Sequence, residues 1–177
     1  MGIGDRLEQR KTAIKQRWLD LIIATYPPDS REFFKNQKNR FLNPVGAALH
    51  RQVEALYDVL LNEAPDEDIA SILEDFVKVR AVQDFSPSQA IEFVLYLKQA
   101  IREELVEEIR SGQWFEELLA LENRIDRLLL TAFDVYMQSR EKIYQIRASD
   151  LKRQSFLALK RMDLDSARKG KVDDSQD

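Results

Sequence analysis

The spacing of apolar residues in the last third of the chain constrains the fold most strongly. An apolar residue recurs there at alternating steps of four and three positions, at Trp114, Leu118, Leu121, Ile125, Leu128, Ala132 and Val135. This heptad seam predicts a long helix with one buried side, because residues three and four positions apart share a face of a helix. A second apolar stripe follows beside it, at Leu129, Phe133, Tyr136 and Ile143.

Two apolar stripes on one helix predict two packing partners. We expect one partner to be the rest of the same domain and the other to be a second subunit, which would make the protein a homodimer. The candidate dimer interface is the heptad seam, represented by Trp114, Leu118, Leu121, Ile125, Leu128 and Val135.

The remainder of the chain also predicts helices. It holds only five glycines and five prolines among 177 residues, and so few helix-interrupting residues favour long helices over many short strands. Apolar residues at helical spacing predict a first helix at about 4–26, a short piece at 30–35, a second helix at 43–62, a third from about 66 and a fourth at 86–111. We therefore predict an all-α fold, a single bundle of five to six helices with a long C-terminal helix.

The predicted domain organisation is simple. The helical domain is expected to span residues 1–162, with its core at about 5–140 and a C-terminal helix extension to about 162. Residues 163–177 are polar and rich in charge, and we predict that they form a disordered tail.

Composition excludes several classes of function. The chain has no cysteine, which excludes disulfides, thiol catalysis and metal sites with cysteine ligands. Its formal net charge of −4 favours neither nucleic acid nor an anionic membrane as a partner of the whole chain. No apolar stretch approaches the roughly 20 residues that a membrane span needs, and the charged N-terminus lacks the apolar run of a signal peptide. We therefore expect a cytoplasmic protein.

His50 is the only histidine of the chain and lies at helical spacing from Val53 and Tyr57. One interpretation is a ligand of a metal or haem, or a pH-sensitive switch. We favour a packed or surface histidine, because one histidine without cysteine cannot build a zinc site unaided. We expect no resident cofactor or metal. If a small molecule or haem is sensed, the candidate ligand pocket comprises Trp18, His50 and Tyr57.

The sequence carries no pattern typical of a catalytic site. It lacks a phosphate-binding loop, a dinucleotide-binding glycine pattern, a nucleophile elbow and a zinc-protease motif. A catalytic triad would have to use His50, and nothing around that residue supports one. We predict that the protein is not an enzyme.

Two segments of opposite charge follow one another in the second half of the chain. Residues 103–126 contain eight acidic residues and two arginines, and we favour a solvated face because the Glu-x-x-His pattern of di-metal bundles is missing. Residues 140–161 contain seven basic and two acidic residues. Three interpretations of that segment stay open, namely a phosphate-binding arm for nucleic acid, a solvated helix end, and a surface that pairs with the acidic segment of another subunit.

Two predicted helices begin with a polar cap followed by proline, within the segments Phe41-Leu-Asn-Pro-Val-Gly46 and Phe85-Ser-Pro-Ser-Gln-Ala-Ile91. A polar cap residue accepts a backbone hydrogen bond, and proline loses nothing at the first helical position. Together these segments resemble the N-terminal domain of RsbRD-type proteins, the co-antagonists of the switch kinase RsbT in the bacterial stressosome. The residues that carry the motifs are Phe41, Asn43, Pro44, Ser86 and Pro87.

The resemblance, which covers about residues 5–140, implies a helical sensory or regulatory domain without catalysis. Related stressosome input domains are similar to globins without haem, form dimers, and project their last helix toward a C-terminal STAS domain or histidine kinase. This sequence shows no such module before it ends, so we expect a stand-alone domain that binds a separate regulatory protein. The alternatives are a small-molecule or haem sensor with a pocket near His50, and a nucleic-acid-binding regulator that uses the basic C-terminal helix.

Overall fold

The computed structural model describes residues 2–36, 42–62, 65–82, 85–112 and 114–173, and the motif residue Phe41 lies outside these ranges. All regular secondary structure within them is helical. The helices are α1 (Ile3–Gln9), α2 (Lys11–Ile23), α3 (Pro28–Asn36), α4 (Pro44–Leu61), α5 (Asp66–Val82), α6 (Pro87–Ile91), α7 (Phe93–Glu104), α8 (Val106–Arg110) and α9 (Phe115–Asp173). The predicted all-α fold with a long C-terminal helix is confirmed. None of the helices in the described ranges combines the length and the apolar content that crossing a membrane requires.

The chain divides into two compact units, Met1–Ser139 and Arg140–Asp177. The first unit holds α1 to α8, the first part of α9 and the core, and the second unit holds the rest of α9. Helix α9 continues to Asp173, so the backbone is helical through residues 163–173, where the sequence predicts a disordered tail.

Two of the predicted helices bend where no proline or glycine requires it. The first predicted helix divides at Arg10 into α1 and α2, and the fourth divides at Glu92 and Leu105 into α6, α7 and α8. Backbone hydrogen bonds from Arg10 N to Arg6 O (2.9 Å) and from Leu105 N to Ile101 O (3.0 Å) close the last turns of α1 and α7. The helices are therefore interrupted at these residues, and each piece ends with its own hydrogen-bonded turn.

Both proline-containing helix starts form side-chain caps. Asn43 is fully buried; its Oδ1 accepts a hydrogen bond from Gly46 N at 2.7 Å, and its Nδ2 donates to Phe33 O at 3.1 Å. At the start of α6, Ser86 Oγ accepts from Gln89 N at 3.3 Å, and Gln89 Oε1 accepts from Ser86 N at 3.0 Å. These bonds satisfy backbone donors that have no partner inside the helix. The two motif segments thus determine where α4 and α6 begin.

The core of the first unit is built around α2, which packs on α7 and on α4, while α4 also packs on α5 and α3. Two buried side chains join these helices through backbone carbonyls. Trp18 Nε1 donates to Phe93 O at 2.7 Å, and Tyr57 OH donates to Leu7 O at 3.0 Å. Because a buried donor without a partner costs about 1–3 kcal/mol, these bonds favour this arrangement of α2 on α7 and of α4 on α1.

The heptad seam of the last helix lies inside the first unit. Leu121, Ile125 and Leu128 are at most 3% exposed, Trp114 and Val135 are 9% and 8% exposed, and Leu118 is half-buried. The sequence predicts this seam as the dimer interface, but here it packs against the chain's own helices. A second copy could reach these residues only if the first unit opened, because the chain's own side chains already cover them.

Candidate functional site

The first unit contains an apolar cavity of about 180 Å³. Helix α4 supplies one wall, because residues three and four positions apart along its first turns share a face. The walls are mostly apolar, formed by Pro44, Val45, Ala48 and Leu49 of α4 together with Tyr26 and Phe76. The polar side chains of Gln52 and Arg80 also line the cavity.

Arg80 is the charged residue among the described residues that line the cavity, and its side chain is only 1% exposed. Its Nη1 donates a hydrogen bond to Gln89 O at 2.9 Å, and its Nη2 makes a long contact of 3.5 Å with Thr25 Oγ1. The buried Nε has no hydrogen-bond partner. A guanidinium carries five N–H donors, so Arg80 retains hydrogen-bonding capacity in a buried position.

Aromatic rings surround the Arg80 guanidinium. Its central carbon lies 4.9 Å from the ring centroid of Phe85, 5.0 Å from Phe76, 5.6 Å from Tyr26 and 5.8 Å from Phe93. Each distance is within the range of a cation–π attraction, which ring faces supply without hydrogen bonds. The rings therefore replace part of the hydration that the cation loses on burial.

Burial lowers the pKa of the Arg80 guanidinium below its ordinary value, while the Tyr26 side chain and the Glu92 charge oppose that lowering. The group stays a cation, because arginine is not deprotonated in proteins. In the described part of the chain no carboxylate forms an ion pair with Arg80. A buried charge is costly unless it is paired and hydrogen-bonded. The cavity is therefore an environment in which an anion would be stabilised.

Helix α9 exposes apolar side chains on the side away from its buried seam. In the first unit, Leu130, Phe133 and Met137 are 66%, 42% and 48% exposed, and we call these three residues the outer stripe. Of the second stripe predicted from the sequence, Phe133 belongs to this outer stripe and Tyr136 is buried. In the second unit, Tyr144, Leu151, Phe156 and Met162 are also exposed.

Comparison with known proteins identifies the family. Residues 12–151 match the family model described as RsbT co-antagonist protein rsbRD N-terminal domain. The chain belongs to this RsbRD N-terminal domain family. The resemblance predicted from the two capped helix starts is confirmed, and the match includes both starts, every residue that lines the cavity and the outer stripe. Membership makes the chain a regulatory domain of the stressosome-input type.

A protein similar to this RsbRD domain occurs in Archaeoglobus fulgidus. It carries the description "Uncharacterized protein" and is 26% identical over 140 residues, which cover 75% of this chain and 79% of that protein. No solved structure matches the chain.

The residues of the pocket predicted from the sequence do not line the cavity of this RsbRD domain. Trp18 and Tyr57 are fully buried and serve the core through the hydrogen bonds described above. Burial also raises the pKa of the Tyr57 hydroxyl above its ordinary value. His50 is half-buried on α4. A ligand pocket formed by these three residues stays a prediction.

The acidic segment of the RsbRD domain forms ion pairs with its own chain. Arg17 of α2 contacts Glu103 at 2.9 Å and Glu104 at 2.6 Å, and Lys98 of α7 contacts Asp126 of α9 at 2.8 Å. These are partly exposed pairs, each worth about 0–1 kcal/mol. The basic side chains of the second unit, from Lys142 to Arg161, are exposed, and the three interpretations of that segment remain open.

Arg80 is the functional candidate that the sequence analysis missed. The available signal was its position, since it follows Phe76 and Val77 at helical spacing on the face of α5 that the apolar pattern predicts to be buried. A charged residue at such a position is rarely buried without a partner. That conflict within the pattern could have indicated a buried cation, although not the cavity beside it.

Proposed function

We propose that this chain is a non-catalytic, cytoplasmic regulatory input domain that forms a homodimer through the outer stripe of α9 and acts on a separate regulatory protein by direct contact. Membership in the RsbRD N-terminal domain family supports the regulatory role. The absence of cysteine is consistent with a reducing compartment. The observation that carries the contact mechanism is the exposure of the outer stripe.

The outer stripe has the geometry of a helix-pairing surface. Single exposed apolar residues are ordinary on a protein surface, but Leu130, Phe133 and Met137 recur at steps of three and four on one face of one helix. The same spacing continues along the sequence to Tyr144 and Leu151. Because full burial of such a side chain stabilises an assembly by about 1.5–3 kcal/mol, two antiparallel or parallel copies of α9 would gain substantially from pairing along this face.

The assembly state of the purified chain tests the dimer. Sedimentation equilibrium at tens of micromolar should give a dimer for the unmodified chain and a monomer for the double variant Leu130→Glu/Met137→Glu, because pairing would bury the introduced carboxylates. A matched control is Ala120→Glu/Gln138→Glu, which adds the same two charges at exposed positions of α9. The control should remain a dimer, and circular dichroism should show unchanged helix content in all three proteins.

Two results would contradict this proposal. A monomer for the unmodified chain at these concentrations would exclude the homodimer. A stable dimer for Leu130→Glu/Met137→Glu, with the same dissociation constant as the control, would place the interface elsewhere on the chain. Binding measurements with RsbT-type switch kinases test the proposed contact with a separate regulatory protein. The family description names RsbT, which makes it the first candidate partner.

A further inference from the structure

The structure assigns a ligand site to the cavity beside Arg80, and we propose that this site binds a small organic monocarboxylate with a short apolar tail. The inference rests on the proposed function only in treating the ligand as the signal of the input domain. The binding itself depends on α4, α5 and Tyr26 of a single chain and not on the outer stripe.

Arg80 supplies the recognition of the carboxylate. It lines the cavity, is 1% exposed, and has a buried Nε without a hydrogen-bond partner. A guanidinium binds a carboxylate through short, charge-assisted hydrogen bonds. A ligand carboxylate at this position would supply the opposite charge that the described part of the protein does not provide as an ion pair. Gln52, also in the lining, adds an amide that can donate a further hydrogen bond.

The cavity walls determine the rest of the ligand. Pro44, Val45, Ala48, Leu49 and Phe76 offer apolar surface to a tail of matching size. The volume of about 180 Å³ is close to the roughly 150 Å³ of an apolar cavity that takes up benzene. A tail of one aromatic ring or a branched chain of similar size therefore fits, whereas a long fatty acid or a nucleotide exceeds the space.

A single negative charge suits the site better than a phosphate. The described lining contains one cation and no second basic group, so a doubly charged phosphate would enter an apolar space with only half of its charge balanced. The start of α4 also lies at the cavity, through Pro44 and Val45. The positive end of the helix dipole favours an anion at this position, although more weakly than Arg80 does.

The first experiment is an NMR titration of the full ¹⁵N-labelled chain with sodium benzoate and sodium 4-methylpentanoate. Toluene serves as the neutral probe of the same shape, and benzylamine serves as the cationic probe. Both carboxylates should shift the backbone amides of residues 45–52 and 76–80 with a saturable response. The affinity for toluene should be lower than that for benzoate by about tenfold or more, since toluene cannot bind the guanidinium. Benzylamine should not bind.

Three variants separate the charge from the cavity. Arg80→Met keeps an apolar chain of similar length without the cation and should weaken benzoate binding by about tenfold or more. Val45→Phe fills the cavity while Arg80 is retained, and should abolish binding of all probes. Arg17→Met removes an exposed arginine that does not line the cavity, and should bind benzoate as the unmodified chain does.

Several results would overturn the proposal. Equal affinity of Arg80→Met and the unmodified chain would exclude the cation from binding, and equal affinity of toluene and benzoate would exclude carboxylate recognition. Retained binding in Val45→Phe would exclude the cavity, and the absence of any response to both carboxylates would exclude the site. If Arg80→Met does not fold, the comparison of toluene with benzoate still tests carboxylate recognition, and Val45→Phe still tests whether the cavity is the site. Benzoate should also bind Leu130→Glu/Met137→Glu unchanged, so failure of the dimer and failure of the ligand site are observed separately.

Discussion

Gly46→Ala should destabilise this domain, although it replaces glycine by the residue with the highest helix propensity. A methyl group at this position of α4 would lie 2.7 Å from Asn43 Cγ and 2.8 Å from Asn43 Oδ1, and closer still to Nδ2. Contacts below 3.0 Å are essentially never observed for a real Cβ. Asn43 would therefore have to move. It is fully buried and bonded to both Gly46 N and Phe33 O, so it cannot move without losing those bonds.

The size of the effect follows from the interactions lost. Loss of a helix cap costs about 0.5–2 kcal/mol, and loss of the partly buried hydrogen bond to Phe33 O costs about 0.5–1.5 kcal/mol. The gain in helix propensity from glycine to alanine is about 1 kcal/mol in the opposite direction. We expect a net loss of up to about 2.5 kcal/mol in the free energy of unfolding. For a chain of this size the melting temperature should fall by up to roughly 10 °C.

Urea unfolding followed by circular dichroism measures this difference, and Gly4→Ala provides a matched control. Gly4 lies in α1 and is exposed, and a methyl group added there would meet no atom within 4 Å. Alanine there should leave the stability unchanged or raise it by up to about 1 kcal/mol. In an Asn43→Ala background, Gly46→Ala should no longer destabilise, because the side chain that the methyl group meets has been removed.

The sign of the change decides the argument. If Gly46→Ala raises the melting temperature as Gly4→Ala does, Asn43 does not cap α4 as the structure describes. If Gly46→Ala lowers the free energy of unfolding by the same amount in the Asn43→Ala background as it does alone, the destabilisation does not come from the cap.

Other substitutions test the core and its titration. Trp18→Phe should lower the free energy of unfolding by about 1–3 kcal/mol in urea titrations, because it removes the buried hydrogen bond to Phe93 O and part of a fully buried ring; unchanged stability would contradict that bond. Since burial raises the pKa of Tyr57, its neutral hydroxyl contributes stability that is fully present below the unfolded value of about 10 and is lost as the pH rises above it. Tyr57→Phe should therefore make the fall in stability between pH 9 and pH 11 shallower by about 1 kcal/mol, and an equal slope would argue against burial of the hydroxyl. Ile125→Glu should cost more than about 3 kcal/mol because it buries a carboxylate in the core, whereas the exposed Leu130→Glu should leave the melting temperature of the monomer within a few degrees of the unmodified value.

The helices could be predicted from the sequence because few residues interrupt them and because caps mark two of their starts. Asn43 and Ser86 form the caps expected from their positions before proline. The bends at Arg10 and Leu105 could not be predicted in the same way. Neither place contains a proline or glycine, so the local sequence favours a continuous helix, and tertiary structure overrides that local preference.

The sequence also could not decide which side of α9 is buried. Both sides satisfy the spacing of three and four residues, and periodicity reports a shared face without reporting what covers it. One difference was nevertheless present in the sequence. The buried seam is uninterrupted, whereas Glu122 and Asp126 precede the outer stripe on its side of the helix. In the structure these two carboxylates pair with Arg102 and Lys98 of α7 at 2.7 and 2.8 Å.

Arg80 shows why the candidate site could not be predicted from the sequence. Its position on the apolar face of α5 could be predicted, but the cavity results from side chains of α4, α5 and Tyr26 that are far apart in sequence. Positions at which a chain departs from its own local pattern are often functional or strained. The buried cation therefore has two possible roles, a contact within the scaffold or recognition of a ligand.

The stability of Arg80→Met separates these two roles. A buried charge can often be replaced by an apolar residue of similar size with no loss of stability, whereas a charge that belongs to a scaffold network costs about 3–5 kcal/mol to remove. We expect the free energy of unfolding of Arg80→Met to lie within about 1 kcal/mol of that of the unmodified chain. Methionine can pack against the same rings, and only the bond to Gln89 O is lost in full. Preserved stability together with lost benzoate binding would assign the cation to the ligand. A loss of several kcal/mol in urea unfolding would instead assign Arg80 to the scaffold that holds α6 against α5.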